Sequence, residues 1–209
     1  FGDGGPQLEL PCDRPRPRAR TQRAGRSDHL LSAALVGDVR RLGARGGASL
    51  FATLIAAFAA LLQRLTGQQD LVVGVPAAGQ AAAGIDGLIG HCVHMLPLRI
   101  VADPAQAFSA LIEHSRGVML DAHDHQKITF GRLLQALPLQ RDPARLPLIS
   151  VVFNIDQALG SERDAAPGLE LELATKARAF ETFELFINAV DAGPAGMRLE
   201  CQYNADLFD

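Results

Sequence analysis

The 209-residue chain carries 20 basic and 23 acidic side chains, a net charge of −3, and is 48% hydrophobic. That balance excludes a disordered polymer and supports a sizeable core, in one large domain or two small ones. The first 26 residues hold six arginines and three acidic residues, so the remainder carries a net charge of −6, which argues against nucleic-acid binding. No apolar run of about 18 residues is free of polar interruption, which speaks against a membrane span. The start FGDGGPQ lacks the shape of a leader peptide. The three cysteines, Cys12, Cys92 and Cys201, form no CxxC pair, and they point to reduced thiols and a cytoplasmic setting.

LELPCDRPRPRAR, from Leu8 to Arg20, opens the chain as an extended strap. Pro11, Pro15 and Pro17 fix φ, remove donors and push the preceding residues toward extended backbone. Its arginines are expected to pair with acidic surface nearby. HLLSAALV (29–36) reads as a strand leading into a short helix over GDVRRLGARGG. Ser49 is a helix N-cap for LFATLIAAFAALLQRLTGQ, where Leu50, Phe51, Leu54, Ile55, Phe58, Leu61, Leu62 and Leu65 recur at helical spacing. With alanines between them, this helix should be buried on most of its circumference. Gly67 ends it.

DLVVGVP is a short strand stopped by Pro76, and LIGHCVHMLPLRIV is another extended segment. Asp103 caps and Pro104 opens a second long helix with Phe108, Leu111, Ile112, Val118 and Met119 inward. ITFGRLLQAL is a shorter helix ending before Pro138, and LPLISVVFNID is an interior strand. The stretch from Ile155 to Arg178 is looser, although LELEL alternates like a strand. The end is a hairpin, FETFELFINAV and MRLECQYNADLF, turning between Asp191 and Gly196. Long helices between non-adjacent strands, followed by antiparallel strands, give an α/β fold with a mixed β-sheet flanked by helices.

The catalytic templates fail against this sequence. There is no phosphate loop with Lys and Ser/Thr, no G-x-S-x-G elbow, and GVPAAGQAAAG lacks the dinucleotide spacing. His123 and His125 diverge on a helix and read as solvent-facing, so no metal site is expected. His91 and His94, three apart in an extended run, point to opposite sheet faces. No His-His pair occurs, and Cys92 and Cys201 read as small packed hydrophobes.

Several blocks, taken in order, resemble the second half of condensation domains from nonribosomal peptide synthetases. LELPCDRPRP resembles the connector between the two lobes of that family. ASLFATLIAAFAALLQRLTGQQDLVVGVPAAGQ resembles its long helix, strand and loop. LIGHCVHMLPLR, HQKITFGRLL and RDPARLPLISVVFN resemble its fifth, sixth and seventh core motifs, and FELFINA…LECQYNADLFD its closing hairpin. The resemblance implies a chloramphenicol acetyltransferase-like half-domain, the second lobe. Residues 1–27 would be the inter-lobe connector and 28–209 the lobe itself, with the final helix absent.

The implied activity is amide formation between an acyl or peptidyl donor and an aminoacyl acceptor, each on the phosphopantetheine arm of a carrier protein. The implied partners are the missing N-terminal lobe and the donor and acceptor carrier proteins, with no nucleic acid, no membrane and no directly bound cofactor. The family's H-H-x-x-x-D-G motif belongs to the first lobe, so no catalytic residue is expected in this chain. Carried over by position, His94 stands where the fifth motif has Asn, and it joins Asn154 and Ser150 as candidates for the substrate channel. Gly90 of the fifth motif and Arg141, Asp142 and Arg145 of the seventh are expected to serve structure. The segment from Asp156 to Glu181 is the candidate for crossing toward the other lobe. A carrier-recruiting module without catalysis, or an epimerisation or terminal acyltransferase relative, are the alternatives.

Overall fold

The computed structural model describes residues 1–79, 84, 89–156 and 175–209. The strap of residues 8–20 forms neither helix nor strand and, against the expectation of an extended run, bends at Asp13–Arg14 and Arg18–Ala19 before strand β1 (Ala24–Ser32). Helices α1 (Ala33–Arg45) and α2 (Leu50–Thr66) follow, then strands β2 (Asp70–Ala78) and β3 (Val93–Val101). Helices α3 (Phe108–Asp124) and α4 (Phe130–Ala136) precede β4 (Val151–Asp156), β5 (Leu185–Asp191) and β6 (Gly196–Asn204). The six strands form one sheet in the order β1-β6-β5-β4-β2-β3. β4 is parallel to both β2 and β5, and the other pairs are antiparallel, so the sheet is mixed.

Strand alternation gives the sheet two unlike faces. On one, Leu71, Val73, Leu98, Ile100, Val151 and Phe153 meet Ile55, Phe58 and Leu62 of α2 in the main core. The Phe153 ring lies 5.4 Å from Phe58 and 6.1 Å from Phe51. α1 and α3 flank α2 on this side through Val36, Val39, Leu111 and Val118. On the other face a smaller cluster of Val72, Ile149, Val152 and Phe186 is covered by Leu133 and Leu134 of α4. Leu8 and Leu10 of the strap are buried in the main core.

Several expectations shift. The apolar run at 29–36 is not one strand: Ser32 accepts from Leu35 N and caps α1, so the strand starts earlier and the helix begins at Ala33. β2 runs through Pro76, which pairs with Met95 on β3 beyond the last residue in register with β4, Gly74. Asp103 accepts from Ala105 N and makes a turn rather than a helix start; α3 begins at Phe108, which is partly exposed. Ser49 caps α2 by accepting from Ala52 N, and left-handed Gly67 closes it. Leu61 and Leu65 of α2 are about half exposed because neither the sheet nor α1 and α3 cover the outer side of its last turns. Thr129 caps α4 and β5–β6 form the closing hairpin. The LELEL alternation and most of the candidate crossing segment lie outside the described residues.

Candidate functional site

The second sheet face changes character beyond the α4 cluster. Neighbouring strands there present polar side chains in register: Arg26 and Asp28 on β1, Gln202 and Glu200 on β6, Asn188 on β5 and Asn154 on β4. Polar residues at alternate positions of otherwise apolar strands must satisfy one another or lose stability. Asn154 Nδ2 donates to Asn188 Oδ1 and to Asp156 Oδ1, both at 2.9 Å, and Asn188 Nδ2 donates to Asp156 Oδ2 at 2.8 Å.

Glu200 is the centre of this array and is only 2% exposed. It takes Arg26 Nη2 at 2.9 Å and Arg198 Nη2 at 3.0 Å, and the Thr175 hydroxyl donates to it. Burial pushes the Glu200 carboxyl up, but the Thr175 and Arg198 hydrogen bonds and the Arg26 charge outweigh it and hold the group below its ordinary value. Arg26 also forks onto Asp28 at 2.6 and 2.8 Å, and that pairing lowers the Asp28 carboxyl. The Cys201 thiol, on the core side of the same strand, is pushed up by burial.

The expected channel residues do not share one wall. Asn154 and Ser150 lie on the polar face, while His94 pairs with Ala77 and lies on the helix-covered face with Leu96 and Leu98. His94 and Asn154 nonetheless sit at the same end of the sheet. Gly74 is level with Val152, so Asn154 and His94 stand within about one residue of each other along β2. Ser150 is four residues back, ~13 Å along the strand. It is buried, accepts from Gln7 Nε2 at 2.9 Å, and its carbonyl takes Glu184 N.

The His94 ring is half-buried against Gly79, whose N–H donates to Cys92 O at 2.7 Å. A Cβ on Gly79 would come 2.6 Å from Cys92 O and closer still to His94 Nε2, so only glycine fits. His91 precedes β3 and is exposed, so the alternation across His91 and His94 does not apply. Gly90 is exposed, with open space where a Cβ would stand. His123 and His125 are exposed at the end of α3.

The seventh-block loop rivets the strap to the lobe. Arg145 donates to Leu8 O at 3.2 Å and to Glu9 Oε2 at 2.5 Å, and its side chain is 15% exposed. Asp142 accepts from Ala144 N and faces Arg145 Nε at 3.5 Å, while Arg141 is exposed. With Gln7 and the end of α4 this loop lines a cleft of about 780 Å³. Leu148, just before Ser150, is the one non-glycine among the described residues with left-handed backbone, φ 68°. Such a residue costs ~1–3 kcal/mol and is retained where surrounding contacts impose it, here by burial of Leu148 in the α4 cluster.

The strap's arginines find acidic partners. Arg16 forks onto Glu184 at 2.7 and 3.0 Å, and Arg14 and Arg23 pair with Asp209 and Asp206 at the chain's end. The strap's pairing with acidic residues is as the sequence predicts, whereas the identity of Glu184 as Arg16's partner, the polar array and the left-handed Leu148 are not legible in it. The array's signal was there, as period-two polar residues inside FNID, FINA and LECQ, but their meeting needs the strand order.

The condensation-domain family model matches residues 2–209. Phosphinothricin tripeptide synthetase PhsB of Streptomyces viridochromogenes is 34% identical over 208 residues, covering 98% of this chain and 17% of that protein. A linear gramicidin synthase polypeptide of Brevibacillus parabrevis is 34% identical over 210 residues, 98% of this chain and 4% of its own length. A plipastatin synthase polypeptide of Bacillus subtilis is 32% identical, covering all of this chain and 8% of itself. Among solved structures, a four-domain nonribosomal peptide synthetase bound to AMP and glycine superposes with a TM-score of 0.89 at 19% identity, over 100% of this chain and 17% of that one. The X-domain from teicoplanin biosynthesis gives 0.83 at 22% identity, over 97% of this chain and 46% of that one. The chain thus spans less than a fifth of these synthetases and under half of the X-domain. With a mixed sheet flanked by helices in the chloramphenicol acetyltransferase-like arrangement, and a family match running almost end to end, the chain belongs to the condensation-domain family.

Proposed function

We propose that the chain is the second lobe of an amide-forming condensation domain in nonribosomal peptide assembly. The observation that carries this reading is the unbroken family match over residues 2–209, with peptide synthetases as relatives. The donor acyl or peptidyl group arrives as a thioester on one carrier protein's phosphopantetheine arm, and the acceptor amine on another. The amine nitrogen attacks the thioester carbonyl, the C–N bond forms, the C–S bond breaks and the arm's thiol leaves with a proton. The proton-handling histidine belongs to the H-H-x-x-x-D-G motif of the upstream lobe.

This lobe supplies a rigid wall. His94 and Asn154 stand at one end of the sheet, one on each face, where a channel crossing that end would meet both. His94 offers a hydrogen-bonding side chain there, and Asn154 is fixed by Asn188 and Asp156. Ser150 is a strap anchor rather than a channel residue. The strap joins the lobes, which gives its rivets Arg145–Glu9 and Arg16–Glu184 a role in setting their relative position. The three free cysteines suit a reducing, cytoplasmic setting. The recruitment-only reading is weaker, because the relatives above 30% identity are peptide synthetases.

The test is reconstitution of the complete domain with charged donor and acceptor carrier proteins and mass spectrometry of the product. The expected result is one new amide on the acceptor arm, with His94→Ala slowing its formation. Carrier binding without product would favour recruitment, and unchanged turnover in His94→Ala would remove His94 from the channel.

A further inference from the structure

On the helix-covered face, a cavity of about 420 Å³ opens between the start of α2, the end of α3 and the β2–β3 pair. Its walls are apolar: Phe51, Ala52, Val75, Leu96 and Leu98 face Met119. This volume falls within the ~300–1,000 Å³ of small-ligand sites, whose usual make-up is an apolar body with a few placed polar groups. The polar groups here are Ser49, His123 and Arg116, and of these Arg116 of α3 is half-buried with its Nε enclosed and without a hydrogen-bond partner. Among the described residues no carboxylate stands within ion-pair distance of the guanidinium.

A cation without a carboxylate and with an enclosed, unpartnered Nε leaves a charge and a donor unmatched at an apolar cavity. Every other arginine with an enclosed side chain in the described structure has a carboxylate: Arg16 has Glu184, Arg26 has Glu200 and Arg145 has Glu9. What complements both the walls and the charge is a molecule with an apolar tail and an anionic head. We infer that the cavity between α2, α3 and β2–β3 binds a small amphipathic carboxylate, its tail among Phe51, Val75, Leu96 and Met119 and its head on Arg116. This site is separate from the polar sheet face and does not depend on the amide-forming reading.

Met119 gives a local reporter, since the chain's other two methionines lie elsewhere, Met95 on the opposite sheet face and Met197 on β6. The experiment is methyl NMR of ε-¹³C-methionine-labelled complete condensation domain, with the Met119 signal assigned by Met119→Leu and octanoate as the probe. Octanoate should move the Met119 signal saturably, with affinity rising about threefold to fourfold per methylene from hexanoate upward. Arg116→Gln should weaken octanoate at least tenfold while leaving binding of octanol, which has no charge, unchanged. Ala77→Phe, which fills the cavity and spares Arg116, should abolish both, and unchanged melting of the variants certifies their fold. The inference is overturned if Met119 does not respond to millimolar octanoate, or if Arg116→Gln binds it as well as the parent. It is equally overturned if the Met119 signal moves with protein concentration alone, which would assign the cavity to a second copy.

Discussion

Glu200→Gln isolates the polar array with a change of one charge and almost no volume. The carboxylate is 2% exposed and takes Arg26 Nη2 at 2.9 Å, Arg198 Nη2 at 3.0 Å and Arg198 Nε at 3.1 Å. The amide keeps one acceptor oxygen, but its NH₂ must face a donor, either Asn188 Nδ2 or a guanidinium. Three charge-assisted bonds lose about 1 kcal/mol each relative to neutral ones. The total of about 3 kcal/mol falls at the low end of what breaking a buried ion pair costs, and Asp28 still holds Arg26. For a chain of this length that is a drop in Tm of about 6–12 °C at pH 7 by thermal melting. Because the folded Glu200 carboxyl is held below its ordinary value of 4.5, its stabilisation is complete above that value and is lost as pH falls through the folded value. The gap between parent and variant should therefore close in acid. Asp28→Asn, at the exposed rim, should cost under about 1 kcal/mol. A Glu200→Gln variant melting within 2 °C of the parent at pH 7, or a gap that widens below pH 4, would mean that the Glu200 carboxylate does not hold the array together.

Arg145→Ala should cost about 1–2 kcal/mol by urea unfolding, because it frees Leu8 O and Glu9, and should make the strap the first site of limited proteolysis; Lys at the same position should restore little, lacking the fork. Gly79→Ala should displace the His94 ring and strain the Gly79–Cys92 bond, lowering Tm by several degrees and shifting the His94 ring signals in NMR. Cys201, half-buried with its thiol pushed up, should react with a thiol reagent at pH 8 more slowly than Cys92, and become equally reactive on unfolding.

Local patterns carried much of the architecture. Ser49 and Gly67 mark α2 to the residue because a cap and a left-handed stop are local chemistry. VVF, three residues of high β propensity, opens the interior strand β4, and the Gly-Pro turn separates β5 from β6. The failures are where two local signals compete. Ser32 sits inside an apolar run too short to tell strand from helix, and its capping of α1 decides the matter. Pro76 is tolerated in β2 because the register with β4 has already ended, a fact of sheet order rather than of sequence. For the site, position within the fifth and seventh blocks named His94 and Asn154, but not that they occupy opposite faces, which follows only from pairing register. The array around Glu200 unites β1, β6, β5 and β4, segments up to about 180 residues apart, and no window of sequence contains it.

On the proposed function, these residues form one wall of an amide-forming chamber whose acid–base histidine lies on the partner lobe. The most direct measurement is single-turnover condensation between a donor-loaded and an acceptor-loaded carrier protein, run with the 209-residue chain and with the complete domain. Product is expected from the complete domain, its loss when the second histidine of the upstream motif is replaced, and none from the chain alone. Amide synthesis by the 209 residues unaided would contradict it.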